Sequence, residues 1–169
     1  LGLYVGAELS IGGATTVTGG IDLFSAELGS FVLGPGSVLD APGHTALDLT
    51  NAQIRSSVVV ADGVPVRGTI LLNGARIRGR LDLDGMVLTE PEGGSLLKAE
   101  GATIDGDVEL ARLRATGGQL KFWRCAIGGG FNAAGAVVEN PDGCTGRLHH
   151  CEGGGAGRPR HRGSSARLG

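Results

Sequence analysis

The sequence predicts an all-β protein that folds as a parallel β-helix (β-solenoid), in a single domain with coils of 23–27 residues. Three features support this fold class. Residues 46–94 align with residues 96–144 without a gap, so the chain repeats every 50 residues. Apolar and polar residues alternate strictly in short segments, which is typical of strands with one buried face. Glycine occupies 33 of the 169 positions, against an average usage of about 7%.

Each 50-residue unit contains two coils. The pattern of a small residue, any residue and isoleucine recurs at Ala52, Ala75, Ala102 and Cys125, with spacings of 23, 27 and 23 residues. Alternating segments follow each copy, as in residues 80–84 and 105–110. A period of about 25 residues with short strands and no helical pattern favours coils in which each strand stacks on its equivalent in the next coil.

Stacking of equivalent strands predicts columns of like side chains inside the solenoid. The predicted columns are Ile54, Ile77, Ile104 and Ile127; Val58, Leu81, Val108 and Phe131; Val60, Leu83, Leu110 and Ala133; and, from a preceding strand, Leu47, Ile70, Leu97 and Leu120. Aromatic residues make up 4% of the chain, so we expect a narrow interior lined by aliphatic side chains.

Three glycines recur near the points where one face of the coil turns into the next, at Gly79, Gly106 and Gly129. We expect these glycines to be required because they can adopt conformations that include a positive φ.

The same register places outward charges side by side. It predicts that Arg78 lies beside Asp105 and Arg80 beside Asp107 on neighbouring coils. Opposite charges adjacent across strands contribute about 0.2–1 kcal/mol each, so such pairs would favour the register. A solvated charged face is the simplest interpretation of these residues.

Every second coil carries extra residues, in segments 40–45, 89–94 and 139–143. Proline and glycine in each segment predict loops, and their shared place in the repeat predicts that they project from one edge. Insertions on one face of a solenoid often form its binding surface. The candidate interaction residues are therefore Asp40, His44, Glu90, Glu92, Glu139 and Asp142. The alternative is that these segments are simply wide turns.

Charge and composition exclude several classes of protein. Residues 1–144 carry 10 basic and 16 acidic side chains, a net charge of -6, so we predict no nucleic-acid partner. No apolar run approaches the roughly 20 residues of a membrane span, although peripheral membrane association remains open. The three cysteines form no CxxC pair, which favours reduced thiols and a cytoplasmic location.

No group of residues predicts a catalytic, cofactor-binding or metal-binding site. The strongest candidate is the set Cys144, His149, His150 and Cys151, but its spacing matches no known zinc arrangement. We therefore predict no cofactor.

The repeat stops near residue 144. We predict a solenoid domain over residues 1–144 and a disordered tail over residues 145–169, because the tail is rich in glycine and arginine and has few apolar residues.

The segment Leu72-Asn73-Gly74-Ala75-Arg76-Ile77-Arg78-Gly79-Arg80-Leu81-Asp82-Leu83-Asp84-Gly85 resembles the repeat unit of glycine-rich actinobacterial β-solenoid proteins related to pentapeptide-repeat proteins. The resemblance covers residues 6–144 and implies a right-handed coil. Members of that group are often named oxidoreductases or membrane-associated oxidoreductases, so the resemblance brings this activity as an expectation. The strict five-residue period of true pentapeptide repeats is kept only in fragments.

Three functions remain open at this point. The leading hypothesis is a non-catalytic structural or protein-interaction scaffold, whose partner is another protein. The second is the oxidoreductase activity that the resemblance implies. The third is mimicry of duplex DNA by an acidic surface that engages a DNA-processing enzyme, although Arg76, Arg78 and Arg80 interrupt the acidic field.

Overall fold

A computed structural model describes residues 3–139 of the protein. These residues form a single-domain parallel β-solenoid of about six turns, which confirms the predicted fold class. The boundary at residue 144 and the predicted tail, residues 145–169, lie outside the described residues.

Nineteen strands and one short helix make up the described part of the chain. In chain order they are β1 (Tyr4–Ile11), β2 (Thr16–Thr18), β3 (Ile21–Asp22), β4 (Glu27–Leu33), β5 (Val38–Asp48), β6 (Gln53–Ile54), β7 (Val58–Val60), β8 (Pro65–Leu71), β9 (Arg76–Ile77), β10 (Leu81–Asp82), β11 (Val87–Thr89), a 3-10 helix (Glu92–Gly94), β12 (Ser95–Lys98), β13 (Thr103–Ile104), β14 (Val108–Glu109), β15 (Arg114–Thr116), β16 (Gln119–Lys121), β17 (Ala126–Ile127), β18 (Phe131–Asn132) and β19 (Val137–Glu139).

The strands form two sheets, and all the strand pairs are parallel. Sheet A contains β1, β4, β6, β7, β9, β10, β13, β14, β17 and β18, and sheet B contains the other nine strands. The chain passes from sheet A to sheet B and back in every coil, so each coil pairs with the coil before it and the coil after it. We number the six coils by one inward residue of sheet A in each: Val5, Leu28, Ile54, Ile77, Ile104 and Ile127.

The predicted columns are confirmed. Ile54 pairs in register with Ile77, Ile77 with Ile104, and Ile104 with Ile127. The second column and the Leu47 column are also in register, and their buried members are almost completely shielded from solvent. Phe131 is in register but 38% exposed, because no described coil lies beyond coil six. Burying one large aliphatic side chain contributes about 1.5–3 kcal/mol, so these columns supply most of the driving force for folding.

Each coil makes tight turns where it leaves one sheet for the other. The Ala75 N–H donates to the Leu72 carbonyl at 3.1 Å, and the turn residue between them, Gly74, has a φ of 65°. The equivalent position one coil later is Gly101, with a φ of 66°. Glycine adopts this left-handed conformation without the steric cost that a side chain would add, which explains part of its abundance.

The three glycines that the sequence singled out have a different role. Gly79, Gly106 and Gly129 are not among the residues with positive φ, so the predicted conformational reason is wrong for them. They stack on one another across coils, and a Cβ on Gly106 would lie 2.7 Å from the Gly79 carbonyl oxygen. Glycine is required here because neighbouring backbones approach more closely than a methyl group permits.

We expect Gly106→Ala to destabilise the solenoid by about 1–3 kcal/mol, because the added Cβ overlaps backbone atoms that cannot move independently of the ladder. Chemical denaturation followed by circular dichroism would measure the change.

Gly130→Ala is the matched control. Its φ is not positive, and the nearest atom to an added Cβ is Asp107 Oδ1 at 3.5 Å, an ordinary contact. Equal losses of stability in the two variants would contradict the close-approach explanation.

Candidate functional site

The insertions on coils two and four lie against each other on one edge of sheet B. We call this surface the loop row; it comprises residues 40–45 and 90–94, with Arg67 of coil three between them. The insertion of coil two differs from the prediction, because residues 40–45 form a bulged loop inside the continuous strand β5. The insertion of coil four contains the 3-10 helix. The Gly43 N–H donates to the Glu90 carbonyl at 3.0 Å. The Thr45 hydroxyl donates to Glu92 Oε2 at 3.1 Å. Two loops that are 47 residues apart in sequence therefore form one surface.

The loops meet because the coil between them is short. In coil three, Arg67 pairs with Asp40 and Thr69 pairs with Thr45, so the single residue Gly68 occupies the place of the whole insertion. Gly68 has a φ of 124°, and a Cβ there would lie 2.6 Å from the His44 carbonyl oxygen. A side chain at this position would clash with the insertion of coil two. Glycine is therefore required for the two insertions to contact each other across coil three.

Arg67 joins the two loops electrostatically. Its Nη1 lies 2.9 Å from Asp40 Oδ1, and its Nη2 lies 2.9 Å from Glu90 Oε1. The hydrogen bond to Glu90, followed by the charges of Asp40 and Glu90, raises the pKa of Arg67 above its ordinary value. The guanidinium is charged at any physiological pH, so it acts as a fixed link and not as a proton donor.

A buried hydroxyl supports the loop of coil four from below. Thr69 is completely buried, and its hydroxyl donates to the Ser95 carbonyl at 2.7 Å and accepts from the Glu92 N–H at 2.8 Å. The adjacent Ser95 hydroxyl is also buried, but it has no hydrogen-bond partner among residues 3–139. Two buried hydroxyls therefore lie beneath the loop row, of which Thr69 is hydrogen-bonded and Ser95 is not hydrogen-bonded to any described residue.

The structure brings together some of the candidate residues and separates others. Asp40, Glu90 and Glu92 lie in the loop row, where Glu90 and Glu92 are exposed and Asp40 is half-buried. His44 is exposed in the loop of coil two. Glu139 is exposed at the end of β19, on the same ladder as Thr116, so it lies on the same edge two coils beyond Glu90. Asp142 lies outside the described residues.

Sequence analysis missed Arg67 and Thr69. The signal was present in the register: Arg67 follows Asp40 by 27 residues and precedes Glu90 by 23, which are the two coil lengths. An arginine at one coil length from a carboxylate on each side is therefore a pattern that predicts a bridge.

The predicted neighbours Arg78 and Asp105, and Arg80 and Asp107, are adjacent in the ladder, but neither of these pairs forms an ion pair. Arg80 lies 3.2 Å from Asp82, two residues along the chain, and Asp107 Oδ1 accepts from the Gly130 N–H. Adjacent backbone positions do not fix where long side chains place their charges.

A second arginine forms a bridge like that of Arg67. Arg112 lies 3.0 Å from Asp62 and 2.6 Å from Asp84, so it links coil five to two earlier coils. The hydrogen bond to Asp84, then the charges of Asp62 and Asp84, raises its pKa.

The remaining singled-out side chains have structural positions. Cys125 is buried in the column of Ala75 and Ala102, with its sulfur against the Ala99 carbonyl oxygen. Trp123 is 56% exposed, with the Arg124 guanidinium 5.7 Å from its ring centre. Residues 3–139 contain no group of three or more His, Cys, Asp or Glu side chains placed to hold a metal ion. The described part of the chain also has no helix with the length and apolarity to span a membrane.

No family model, curated protein or solved structure matches the chain. The resemblance to actinobacterial repeat proteins therefore remains a prediction, and the fold rests on the geometry described above.

The two hydroxyls beneath the loop row predict opposite effects on stability. Thr69→Val keeps the shape of the side chain but removes a donor and an acceptor, so we expect a loss of about 1–3 kcal/mol. Ser95→Ala removes a buried hydroxyl that lacks a partner among the described residues, so we expect no loss or a gain of about 1 kcal/mol. Thermal unfolding would measure both.

Thr116→Val is the control for Thr69→Val, since Thr116 is exposed on a strand of the same sheet. A Thr69→Val variant as stable as this control would show that the hydroxyl does not support the loop.

Proposed function

We propose that the protein is a non-catalytic scaffold that binds another protein through the loop row. The observation that carries this proposal is the closure of two insertions over Gly68, with Arg67 bound to a carboxylate from each. Loops that served only as turns would not need to contact each other across an intervening coil. Residues held in one arrangement before binding lose less conformational entropy when a partner docks.

The charge of the surface indicates the chemistry of the partner. Asp40, Glu90 and Glu92 lie in the loop row, where Arg67 is the one arginine or lysine among the described residues, and Glu139 lies on the same edge. The side chains of Glu90 and Arg67 are 50% and 42% exposed, so the row is accessible to a partner. A protein with lysine and arginine on its surface would match this edge, and complementary charge chiefly raises the association rate and the specificity.

The protonation chemistry of Arg67 in the loop row supports a binding role and not a catalytic one. Enzyme sites commonly hold acids and bases whose pKa values are shifted towards the working pH. The pKa of Arg67 is raised, so its guanidinium supplies no proton acceptor or donor at neutral pH. The carboxylates that bind Arg67 instead make the surface rigid.

The experiment is an affinity capture with three forms of the protein. We expect Glu92→Gln combined with Glu139→Gln to weaken capture of the partner several-fold, because Glu92 lies in the loop row, Glu139 lies on the same edge, and neither forms the Arg67 bridge. Glu8→Gln combined with Glu100→Gln has the same change in charge at exposed positions outside the row. The captured protein would then be purified and its dissociation constant measured for all three forms at low and high salt.

The outcomes separate the hypotheses. Equal affinity of the two double variants would contradict a role for the loop row. Displacement of the partner by duplex DNA would favour the DNA-mimic hypothesis over a general scaffold. A saturable thermal shift with a flavin or a nicotinamide cofactor would contradict the non-catalytic proposal and favour the oxidoreductase activity that the resemblance implies.

A further inference from the structure

A cleft of about 370 Å³ lies on the outer surface of sheet A, away from the loop row. Its walls are two outward-facing ladders that flank the inward column of Ile54 and Ile77. Arg76 stands in one ladder, between Gln53 and Thr103 on the neighbouring coils. Arg55 and Arg78 are adjacent in the other ladder, because each follows its isoleucine directly. Three guanidinium groups from coils three and four therefore line one cleft.

Three arginines line this cleft, and the two carboxylates at its ends, Glu27 and Asp105, offset their charge only in part. Like charges on directly adjacent strands are destabilising. Arg55 has one carboxylate nearby, Glu27 at 3.6 Å. Within residues 3–139, neither Arg76 nor Arg78 forms an ion pair or a side-chain hydrogen bond.

Two arginines elsewhere in the solenoid show that the fold can neutralise an outward guanidinium. Arg67 and Arg112 are each bound by carboxylates from two different coils. Arg76 and Arg78 are exposed and face the same cleft without this compensation. An anion in the cleft would supply the missing counter-charge.

We propose that this arginine cleft, lined by Arg55, Arg76 and Arg78, binds a small anion that carries phosphate groups. A guanidinium presents a planar set of donors that matches phosphate oxygens, and a tetrahedral phosphate can accept from more than one guanidinium at once. The Thr103 hydroxyl lines the same cleft and adds a neutral donor.

Two carboxylates limit the length of the ligand. Glu27 lies at the coil-two end of the cleft and Asp105 at the coil-five end, so the positive strip covers only the two coils between them. Adjacent strands are about 4.8 Å apart, which leaves room for one or two phosphate groups and repels a longer polyanion. The site therefore favours a small phosphorylated molecule over a nucleic acid.

The test is isothermal titration of the protein with pyrophosphate. We expect saturable binding that becomes about tenfold weaker or more in Arg76→Gln combined with Arg78→Gln, since the variant loses charged hydrogen bonds to the phosphate oxygens. The control is Arg114→Gln combined with Lys121→Gln, which makes the same change in charge at exposed positions of sheet B. We expect the control to bind as the unmodified protein does.

Further measurements make the result decisive. Equal weakening in both double variants, or binding that does not saturate, would mean a general attraction of anions to the surface and would overturn the proposal. Tighter binding of citrate than of pyrophosphate would assign the cleft to carboxylates and overturn the phosphate assignment. The cleft variant should unfold at the same temperature as the unmodified protein or higher without ligand. A lower temperature would show that the arginines stabilise the solenoid and contradict a ligand-binding role.

Discussion

The constraint on which the whole structure depends is the stacking of equivalent residues in register from one coil to the next. Every backbone ladder joins a residue to its counterpart about 23–27 positions away, so each inward column must hold a side chain of suitable size in every coil. The same constraint acts on the backbone. Gly79, Gly106 and Gly129 form a column without side chains because adjacent coils approach most closely there. The cross-section of the solenoid is thus determined by the size of the side chains in each stacked column.

The coils differ in length at one edge of sheet B, and the proposed binding surface lies there. Coils two and four are longer than their neighbours, and the extra residues leave the stack on a single edge while the inward columns continue undisturbed. The short coil between them then becomes the floor of the loop row, with Gly68 beneath the loops and Arg67 between their carboxylates. The arginine cleft on sheet A is a second surface of opposite character, built by substitution within outward ladders and not by insertion. One regular scaffold can therefore present two chemically distinct faces.

The fold was predictable from sequence because alternation determines which side chains face inward, and a constant coil length determines which of them meet. The Ile54 to Ile127 column follows directly from these two rules. Contacts between long polar side chains do not follow from them. Arg80 pairs with Asp82, two residues along the chain, although Asp107 is its neighbour across the ladder, because rotamers and not backbone positions place a guanidinium. The position of the glycine column was predicted correctly, but its cause was not. The sequence shows that glycine recurs, and it does not show whether a positive φ or the close approach of backbones requires it.

The candidate interaction residues Asp40, Glu90 and Glu92 were found as members of insertions, whereas Arg67 lies in a regular strand and was missed.

The direction of the backbone hydrogen bonds has a mechanical consequence. They run along the solenoid axis, and the strand ladders of each coil pair only with the coils on either side of it. Tension applied to the two ends of the chain would therefore detach coils one after another, each at a similar force, and would not rupture the domain in a single event. The bridges made by Arg67 and Arg112 span three coils each, so they would act as local reinforcements that delay this peeling in the middle of the rod.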